Sequence, residues 1–396
     1  MLHSLLLISV CALAAPVQTG ELIFPVNPQH NHGSSLVETP EGDLLAVWFH
    51  GTGERQSDDV MLQGARLRQA DRTTGTWKTP FVMADTPDLP DCNPVLFVDP
   101  RGALWLFWVT VQDNQWGGTI LKYRTAKQYT ADGPPQWDWQ DVIHARPQDL
   151  QARFTDVLDH AEEKLGPMAA TIPKLPALLE EGRRAADSKL SQRLGWMTRL
   201  HPIMTSDKRM MLGLYSDVFN CSLAAFTEDW GQTWSFSFPI LDPDISKLSN
   251  IQPSFVKKKD GSIVAFMRDN GLPKKIRSAV SSDQGVNWSG VSSLDITNPG
   301  SSVECIALAS GRWALICNDE DGRHQLTVYL SDDEGATWPH SRSLERVDSG
   351  KGNFSYPSMI QTRDGMIHCT YSYSTEGTPG SSIKHAAFNE EWITTK

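Results

Sequence analysis

The stretch Ser331-Asp332-Asp333-Glu334-Gly335-Ala336-Thr337-Trp338 decides the fold that we expect for this chain, because it is repeated. The same S-x-D-x-G-x-T-W pattern returns at Ser281–Trp288, with Asn for the Thr, and at Thr227–Trp234, with Thr for the Ser. The three copies begin 54 and 50 residues apart. A fixed period of this size is typical of repeated supersecondary units, such as the four-stranded blades of a propeller.

The residue types of the motif suit a tight turn at the corner of a β-hairpin. An Asp side chain accepts hydrogen bonds from turn N–H groups, and Gly adopts a positive φ without steric cost. The Trp is expected to pack beneath the loop. We therefore interpret the motif as a structural clip with no catalytic role.

A second periodic signal is a hairpin in which a short turn, most often with Gly or Asp, separates two β-rich, apolar strands. Six stretches carry this signal: Leu36–Trp48, Val95–Trp108, Pro202–Tyr215, Phe255–Met267, Val303–Ile316 and Met359–Tyr371. Six hairpins with turn motifs between them predict an all-β, six-bladed β-propeller over residues 20–396. The early strand Leu22-Ile23-Phe24 is expected to complete the last blade and close the ring, which leaves few free edges.

Residues 146–193 do not alternate between apolar and polar positions. Their apolar residues recur with helical spacing on both sides of Pro173, from Leu150 to Leu165 and from Leu175 to Leu179. This spacing predicts a helical insertion in the third-blade region. The insertion is either a packed decoration or a cap over the propeller mouth that shapes the substrate site, and the sequence leaves both interpretations open.

Composition excludes several classes of partner. The chain has 396 residues, of which 40% are hydrophobic, and a formal net charge of −11. Because no basic patch stands out, we expect neither nucleic acid nor an anionic membrane as a partner. No stretch after the N-terminal segment is long and apolar enough to span a bilayer.

The N-terminal segment and the cysteines indicate the cellular compartment in which we expect the protein. Residues 1–15 contain an apolar run and the cleavage-like end Ala12-Leu13-Ala14, which predicts a signal peptide and a secreted or periplasmic protein. Five cysteines remain after this segment, an odd number spread over a large domain, so we expect no disulfide framework. No spacing of Cys, His or acidic residues indicates a metal site, and no cofactor is expected.

The repeated turn motif is the Asp-box, and residues 20 to 390 resemble the sialidase superfamily of BNR-repeat, neuraminidase-type propellers. The resemblance implies a retaining exo-glycosidase that acts on an acidic glycan. Such enzymes bind the substrate carboxylate with three arginines, and they use a Tyr nucleophile assisted by Glu and an Asp as acid/base. A neutral phenol avoids the repulsion that a charged nucleophile would meet from the sugar carboxylate.

Three segments of the chain match this pattern. Arg323–Ser331 resembles the segment that carries the third arginine, and Phe266-Met267-Arg268 resembles the segment of the second. Ser355–Met359 resembles the nucleophile segment, so the resemblance makes Tyr356 the nucleophile. It assigns carboxylate binding to Arg268 and Arg323. A structural role stays open for each: either arginine could pair with a carboxylate of its blade, and Tyr356 could be a core residue.

Two positions depart from the pattern. His32 occupies the place of the first arginine, and Gln252 occupies the place of the Glu that activates the Tyr. Gln cannot act as a base at any working pH. We therefore expect His32 and Gln252 to contact the substrate, with His32 in place of one arginine, and Glu304 to polarise Tyr356, unless the chemistry itself has changed.

The remaining candidates come from two loops. The loop after the first hairpin lies where the family places its acid/base Asp, and we favour Asp59 over Asp58 for this role. Arg199 and His201 begin the third hairpin, and strand starts nearest the axis line the mouth of a propeller. Both are candidate substrate-binding residues, and a purely structural role stays open for each.

Three hypotheses about function follow. The first is a secreted exo-glycosidase of sialidase type. The second is a His/Tyr-dependent lyase or hydrolase of uronate polysaccharides, in which a uronate carboxylate meets the same arginines and His32 acts as base or acid. The third is a non-catalytic propeller that binds acidic glycans or a partner protein, which the missing arginine and glutamate favour.

Overall fold

The structure, a computed structural model, describes residues 15–168, 171–244 and 248–395. All but the last residue of the predicted signal peptide lies outside the described residues. The described strands form six antiparallel sheets arranged as the blades of a propeller. The predicted all-β, six-bladed propeller is therefore confirmed. No helix in the described ranges is long and apolar enough to cross a membrane.

Blades 1 and 2 contain four strands each, and blade 3 contains five. Blade 1 contains β2 His30–Glu38, β3 Leu44–Gly51, β4 Met61–Leu67 and β5 Phe81–Ala84. Blade 2 contains β6 Asp91–Val98, β7 Leu104–Val111, β8 Thr119–Ala126 and β9 Trp139–Val142. Blade 3 contains β10 Trp196–Met197, β11 Ile203–Met204, β12 Met210–Ser216, β13 Cys221–Thr227 and β14 Ser235–Phe236.

The last three blades follow the same order, and the sixth takes its outermost strand from the start of the chain. Blade 4 contains β15 Asn250–Lys257, β16 Ile263–Asp269, β17 Lys275–Ser281 and β18 Ser292–Thr297. Blade 5 contains β19 Glu304–Ala307, β20 Trp313–Cys317, β21 Gln325–Ser331 and β22 His340–Arg346. Blade 6 contains β23 Gly352–Gln361, β24 Ile367–Thr375, β25 Ser382–Phe388 and β1 Gln18–Leu22.

The ring is closed by pairing between the two ends of the chain. Strand β1 pairs antiparallel with β25, from Gln18 opposite Phe388 to Leu22 opposite Lys384. The N–H of Ile23 continues the ladder by donating to the carbonyl of Ile383 at 2.9 Å. The early segment thus completes blade 6, as predicted, although the strand lies a few residues before Leu22–Phe24. This pairing covers a sheet edge that would otherwise be free.

The first strand of a blade lies nearest the axis, and in four blades it carries a β-bulge. Strand β2 packs beside β6 and β23, the first strands of its two neighbours. The bulges place Gly33, Asn93, Gln252 and Tyr356 in the left-handed region, with φ between 52° and 63°. A bulge turns a side chain away from its regular alternation. Three polar side chains are therefore re-aimed around the axis.

The repeated turns have the hydrogen bonds of a clip. In the third copy, the Asp333 carboxylate accepts from the Thr337 N–H at 2.8 Å and from the Thr337 hydroxyl at 2.7 Å. Gly335 has φ of 83° and lies against the rings of Phe266 and Trp313. Because Phe266 belongs to blade 4 and the turn to blade 5, the clip joins adjacent blades.

The predicted helical insertion lies between blades 2 and 3. It contains α1 Leu150–Leu165, α2 Leu175–Asp187 and α3 Lys189–Arg193, and a last short helix, α4 Glu390–Thr394, ends the chain. The buried face of α1 packs on blade 3, where the ring of Phe154 meets Phe219 edge-on at 5.1 Å. Phe219 lies in the turn between β12 and β13, so the insertion supports that turn.

Candidate active site

A polar cavity of about 600 Å³ opens at one end of the propeller, where β2 and β23 begin. Its described lining comes from blades 1, 5 and 6 and from the loop after β3, and none of it from the helical insertion. The chemistry-bearing members of this lining are His30, His32, Thr52, Glu54, Arg323, Asn353, Tyr356 and Tyr373. The structure therefore favours the insertion as a packed decoration rather than a cap.

Three arginine side chains lie close to the phenol of Tyr356. Arg268 donates from Nη1 to the Tyr356 hydroxyl at 2.7 Å. The guanidinium carbon of Arg323 lies 5.1 Å from the centre of the Tyr356 ring, and that of Arg199 lies 5.0 Å from it. Three cations thus surround one phenol, a geometry that brings together four residues predicted from the sequence.

These cations change the acidity of the phenol. Burial alone would raise the pKa of Tyr356, because a phenolate loses hydration inside the protein. The positive charges of Arg268 and Arg323 and a hydrogen bond from Gln252 outweigh burial, and the net result is a pKa below the ordinary value. The phenolate, the more nucleophilic form, is therefore easier to form here than in a free tyrosine.

Arg199 lies beneath the site and not in it. Its side chain is buried, and it donates to the carbonyl oxygen of Ser34 at 3.0 Å and to that of Tyr356. These carbonyls belong to the inner strands of blades 1 and 6. Arg199 consequently joins two blades and supplies positive charge from below, while its N–H groups are directed at the backbone.

His32 packs on the nucleophile candidate. Its ring centre lies 4.3 Å from that of Tyr356. Burial lowers the pKa of His32 well below its usual value, and the nearby His30 and the three arginines lower it further. A neutral imidazole cannot replace the positive charge of an arginine, so any substrate contact that it makes is a hydrogen bond.

Gln252 supplies a hydrogen-bond donor at the position where the sialidase pattern has a base. Its Nε2 donates to the hydroxyl of Tyr215 at 3.3 Å, and the side chain also bonds Tyr356. Asn93 donates to the same Tyr215 hydroxyl at 3.1 Å. Gln252 thus stabilises a Tyr356 phenolate as a neutral donor, without taking its proton.

Glu304 and His201 lie elsewhere. Both line a second cavity of about 580 Å³, which does not include the Tyr356 side chain among its lining. Glu304 binds His201 Nδ1 at 2.6 Å and accepts from the Met359 N–H, while His201 Nε2 lies 2.8 Å from the Leu36 carbonyl. Burial opposes a charge on His201, but Glu304 and the carbonyl outweigh it and raise its pKa. The structure thus does not bring Glu304 to the Tyr356 hydroxyl.

The loop after β3 offers two carboxylates with different surroundings. Asp59 is exposed, and its carboxylate accepts from the Thr52 N–H at 3.0 Å and from the Thr52 hydroxyl at 2.7 Å. Glu54 lines the cavity with Tyr356, and burial raises the pKa of its carboxyl although nearby arginines oppose this. The sequence analysis did not select Glu54, whose only signal was that it is a third acid in the loop of Asp58 and Asp59.

Asp217 is a further acid that the sequence did not single out. It lies in the turn after β12, the turn that the insertion supports. Burial raises the pKa of Asp217, while Arg268 and Arg55 act to lower it. No motif marks this residue, and its position at the end of a hairpin strand was the only available signal.

A comparison with known families agrees with this architecture. Residues 42–153 and 183–369, more than half of the chain, match the BNR repeat-like domain family. The chain belongs to this family. Within this fold, the repeated clips join adjacent blades, and the cavity is lined mainly by residues of blades 1 and 6 that lie outside the clips.

The chain is also similar to individual sialidases. A sialidase of Micromonospora viridifaciens is 26% identical over 184 residues, which are 43% of this chain and 26% of that protein. The chain thus matches about a quarter of that relative's length. The NanB sialidase of Streptococcus pneumoniae superposes with a TM-score of 0.66 at 14% identity, covering 98% of this chain and 72% of that one.

A third comparison concerns a protein without a known role. A Dyadobacter fermentans protein of unknown function superposes with a TM-score of 0.68 at 14% identity, covering 93% of this chain and 97% of that one. At such identities a structural likeness shows the fold alone. The activity therefore has to be argued from the site.

Proposed function

We propose that this protein is a glycoside hydrolase of sialidase type, acting outside the cytoplasm, which releases an acidic terminal sugar from glycans with retention of configuration. The observation that carries the proposal is the Tyr356 hydroxyl, held 2.7 Å from Arg268 with the Arg323 guanidinium 5.1 Å from its ring. A phenol activated by cations suits attack on a sugar that itself bears a negative charge.

In the first step, Tyr356 attacks as the phenolate, its hydroxyl proton having passed to solvent, and its oxygen bonds to the anomeric carbon while the bond to the leaving oxygen breaks. An acid in the cavity gives its proton to that oxygen, and a covalent glycosyl–tyrosine results. In the second step, the resulting carboxylate takes a proton from water, whose oxygen displaces Tyr356. The phenolate leaves readily because Arg268, Arg323 and Gln252 stabilise it.

Glu54 fits the acid role better than Asp59, which the sequence suggested. A general acid must hold its proton near the working pH, and burial raises the pKa of Glu54. Glu54 also lines the cavity of Tyr356, whereas the Asp59 carboxylate is bound to Thr52. We assign Asp59 the task of shaping the loop.

Substrate binding is assigned to the two arginines and to His32. Arg323 donates one N–H to the Gly300 carbonyl at 3.2 Å, and its side chain lines the cavity. Arg268 donates from Nη1 to the Tyr356 hydroxyl and from Nη2 to the Asn270 side-chain oxygen, each at 2.7 Å, and each of these nitrogens has a second N–H. Both guanidinium groups therefore keep donors for a carboxylate, the acceptor that arginine binds most strongly.

The test is release of fluorophore from a 4-methylumbelliferyl N-acetylneuraminic acid glycoside. We expect turnover by the wild type and a loss of at least about 10³-fold in kcat for Tyr356→Phe, since removal of a nucleophile costs that much or more. Tyr373→Phe is the matched control because Tyr373 lines the same cavity. Near-normal turnover by Tyr356→Phe would refute the proposal.

A second candidate function rests on the contact between His32 and Tyr356, 4.3 Å between ring centres. A neutral His beside an acidic phenol is a base and acid pair suited to β-elimination on a uronate. Digestion of uronate polysaccharides would then produce an ultraviolet-absorbing unsaturated uronate. This function would be favoured over the first if that absorbance appeared with the wild type, disappeared in His32→Ala, and was accompanied by no turnover of the sialoside.

A further inference from the structure

A second concave surface lies on the outer side of the propeller, between blades 2 and 3. It is a groove of about 580 Å³, which we call the Trp139 groove. Its floor is one face of blade 2, where Trp105, Thr125 and Trp139 are neighbours across β7, β8 and β9. Its wall is the repeated turn of blade 3, Thr227–Trp234.

The floor presents a fixed and exposed indole ring. Trp139 is 58% exposed on the edge strand β9. Its Nε1 donates to the Tyr123 hydroxyl at 3.3 Å, and that hydroxyl donates to the Gly231 carbonyl at 2.9 Å. A large apolar ring held in one orientation in a cavity indicates a stacking surface, because its exposure is otherwise unfavourable.

The wall carries a second tryptophan at an unusual position. Trp230 has φ of 60°, in the left-handed region, which a bulky residue adopts at a steric cost. The same position in the two other turns is occupied by polar residues, Gln284 and Glu334, with φ of 60° and 56°. The aromatic replacement thus occurs in the turn that faces Trp139. Arg101 packs over the Trp230 ring at 3.9 Å and holds it.

The rim adds hydrogen-bonding groups without an excess of positive charge. Asp138 and Asp141 each use one carboxylate oxygen to bind a backbone N–H, at 2.7 Å in both cases. Their other oxygens have room for ligand hydroxyls. Two cationic side chains line the groove. Arg101 is paired with Asp99 at 2.6 Å, so Lys127 is the cation that balances the negative charge of the rim acids. This balance does not favour an anion.

We propose that the Trp139 groove binds uncharged pyranose units of a glycan chain. The apolar C–H face of the sugar stacks on Trp139, Trp230 forms the facing wall, and the rim carboxylates accept from hydroxyl groups. The groove therefore takes a ligand of different charge from that of the arginine-lined cavity. Its role is to hold the protein on a glycan, and it does not depend on the proposed hydrolysis.

The experiment is calorimetric titration of the full chain with cellohexaose, xylohexaose, mannohexaose and chitohexaose. We expect the wild type to bind at least one of these probes and Trp139→Ala to weaken that binding by about tenfold or more. Trp139→Phe retains a ring and should lose less. Trp230→Gln introduces the residue found at the same turn position in blade 4, so it should fold and still weaken binding.

Two controls separate this site from the axial cavity. Gln284→Ala changes the equivalent position of another turn and should leave binding unchanged, and Tyr356→Phe should do the same. Thermal unfolding checks that each variant is folded. No binding of any probe by the wild type, equal binding by Trp139→Ala, or loss of binding in Tyr356→Phe would each overturn the proposal.

Discussion

The substitution Glu54→Gln tests the assignment of the acid most directly. It keeps the size and the hydrogen-bonding reach of the side chain and removes its proton. Because Glu54 lines the cavity of Tyr356 and burial raises its pKa, we expect it to be the proton donor to the leaving oxygen. A positioned general acid contributes about 10²–10⁴-fold to the rate.

The size of the effect should depend on the leaving group. With a sialyl-lactose substrate, whose sugar alkoxide needs a proton, we expect kcat to fall by about 10²–10³-fold in Glu54→Gln. With the 4-methylumbelliferyl glycoside, whose phenolate leaves with little help, the loss should be within about tenfold. The assay is therefore the ratio of kcat for the two substrates, measured in the wild type and in the variant.

The pH profile gives a second readout. Glu54 donates only when protonated, so wild-type kcat should fall as pH rises through its raised pKa. That alkaline limb should disappear in Glu54→Gln. Asp59→Asn is the matched control, since Asp59 lies in the same loop. Our reasoning would be refuted if Glu54→Gln left the kcat ratio and the alkaline limb unchanged while Asp59→Asn changed the ratio and removed the limb. The acid would then be Asp59.

Three further changes have defined outcomes. Burial and its neighbour His385 lower the pKa of His368 to about 3, so the folded protein resists a proton that the unfolded chain takes up below about pH 6.5. This one group should lower the free energy of unfolding by about 1.4 kcal/mol per pH unit below that value, and His368→Gln should reduce the measured slope by that amount in urea titrations. Gly335→Ala should lower the free energy of unfolding by about 1–3 kcal/mol, because φ is 83° and a Cβ would meet Trp313 at 3.0 Å; unchanged urea unfolding would contradict this. Arg268→Lys should raise KM for the sialoside by about tenfold or more, since Lys cannot bind a carboxylate in bidentate fashion; an unchanged KM would argue against carboxylate binding there.

The blade count was readable from the sequence because its signals are local. Each repeated turn is closed within seven or eight residues by hydrogen bonds such as those from Thr337 to Asp333. Each hairpin joins strands that are adjacent in the chain. Such contacts depend on residue types at short spacing, which a sequence displays directly.

The position of Glu304 was not readable in this way. It begins β19, which pairs regularly with β20, whereas the strands that carry Gln252 and Tyr356 contain a bulge. A bulge shifts the alternation of side chains by one residue, so equivalent-looking strand starts direct their side chains differently. Glu304 consequently meets His201 and the Met359 N–H in the second cavity.

The sequence by itself determined that this chain is a six-bladed propeller with a helical insertion, and it pointed to Tyr356, Arg268 and Arg323. Only the tertiary structure decided which acid accompanies them. Arg268 and Tyr356 are 88 residues apart, and Glu54 reaches their cavity from the loop after β3. Burial and long-range charge set the pKa of Glu54 and Tyr356, and both arise only when distant blades close into one ring.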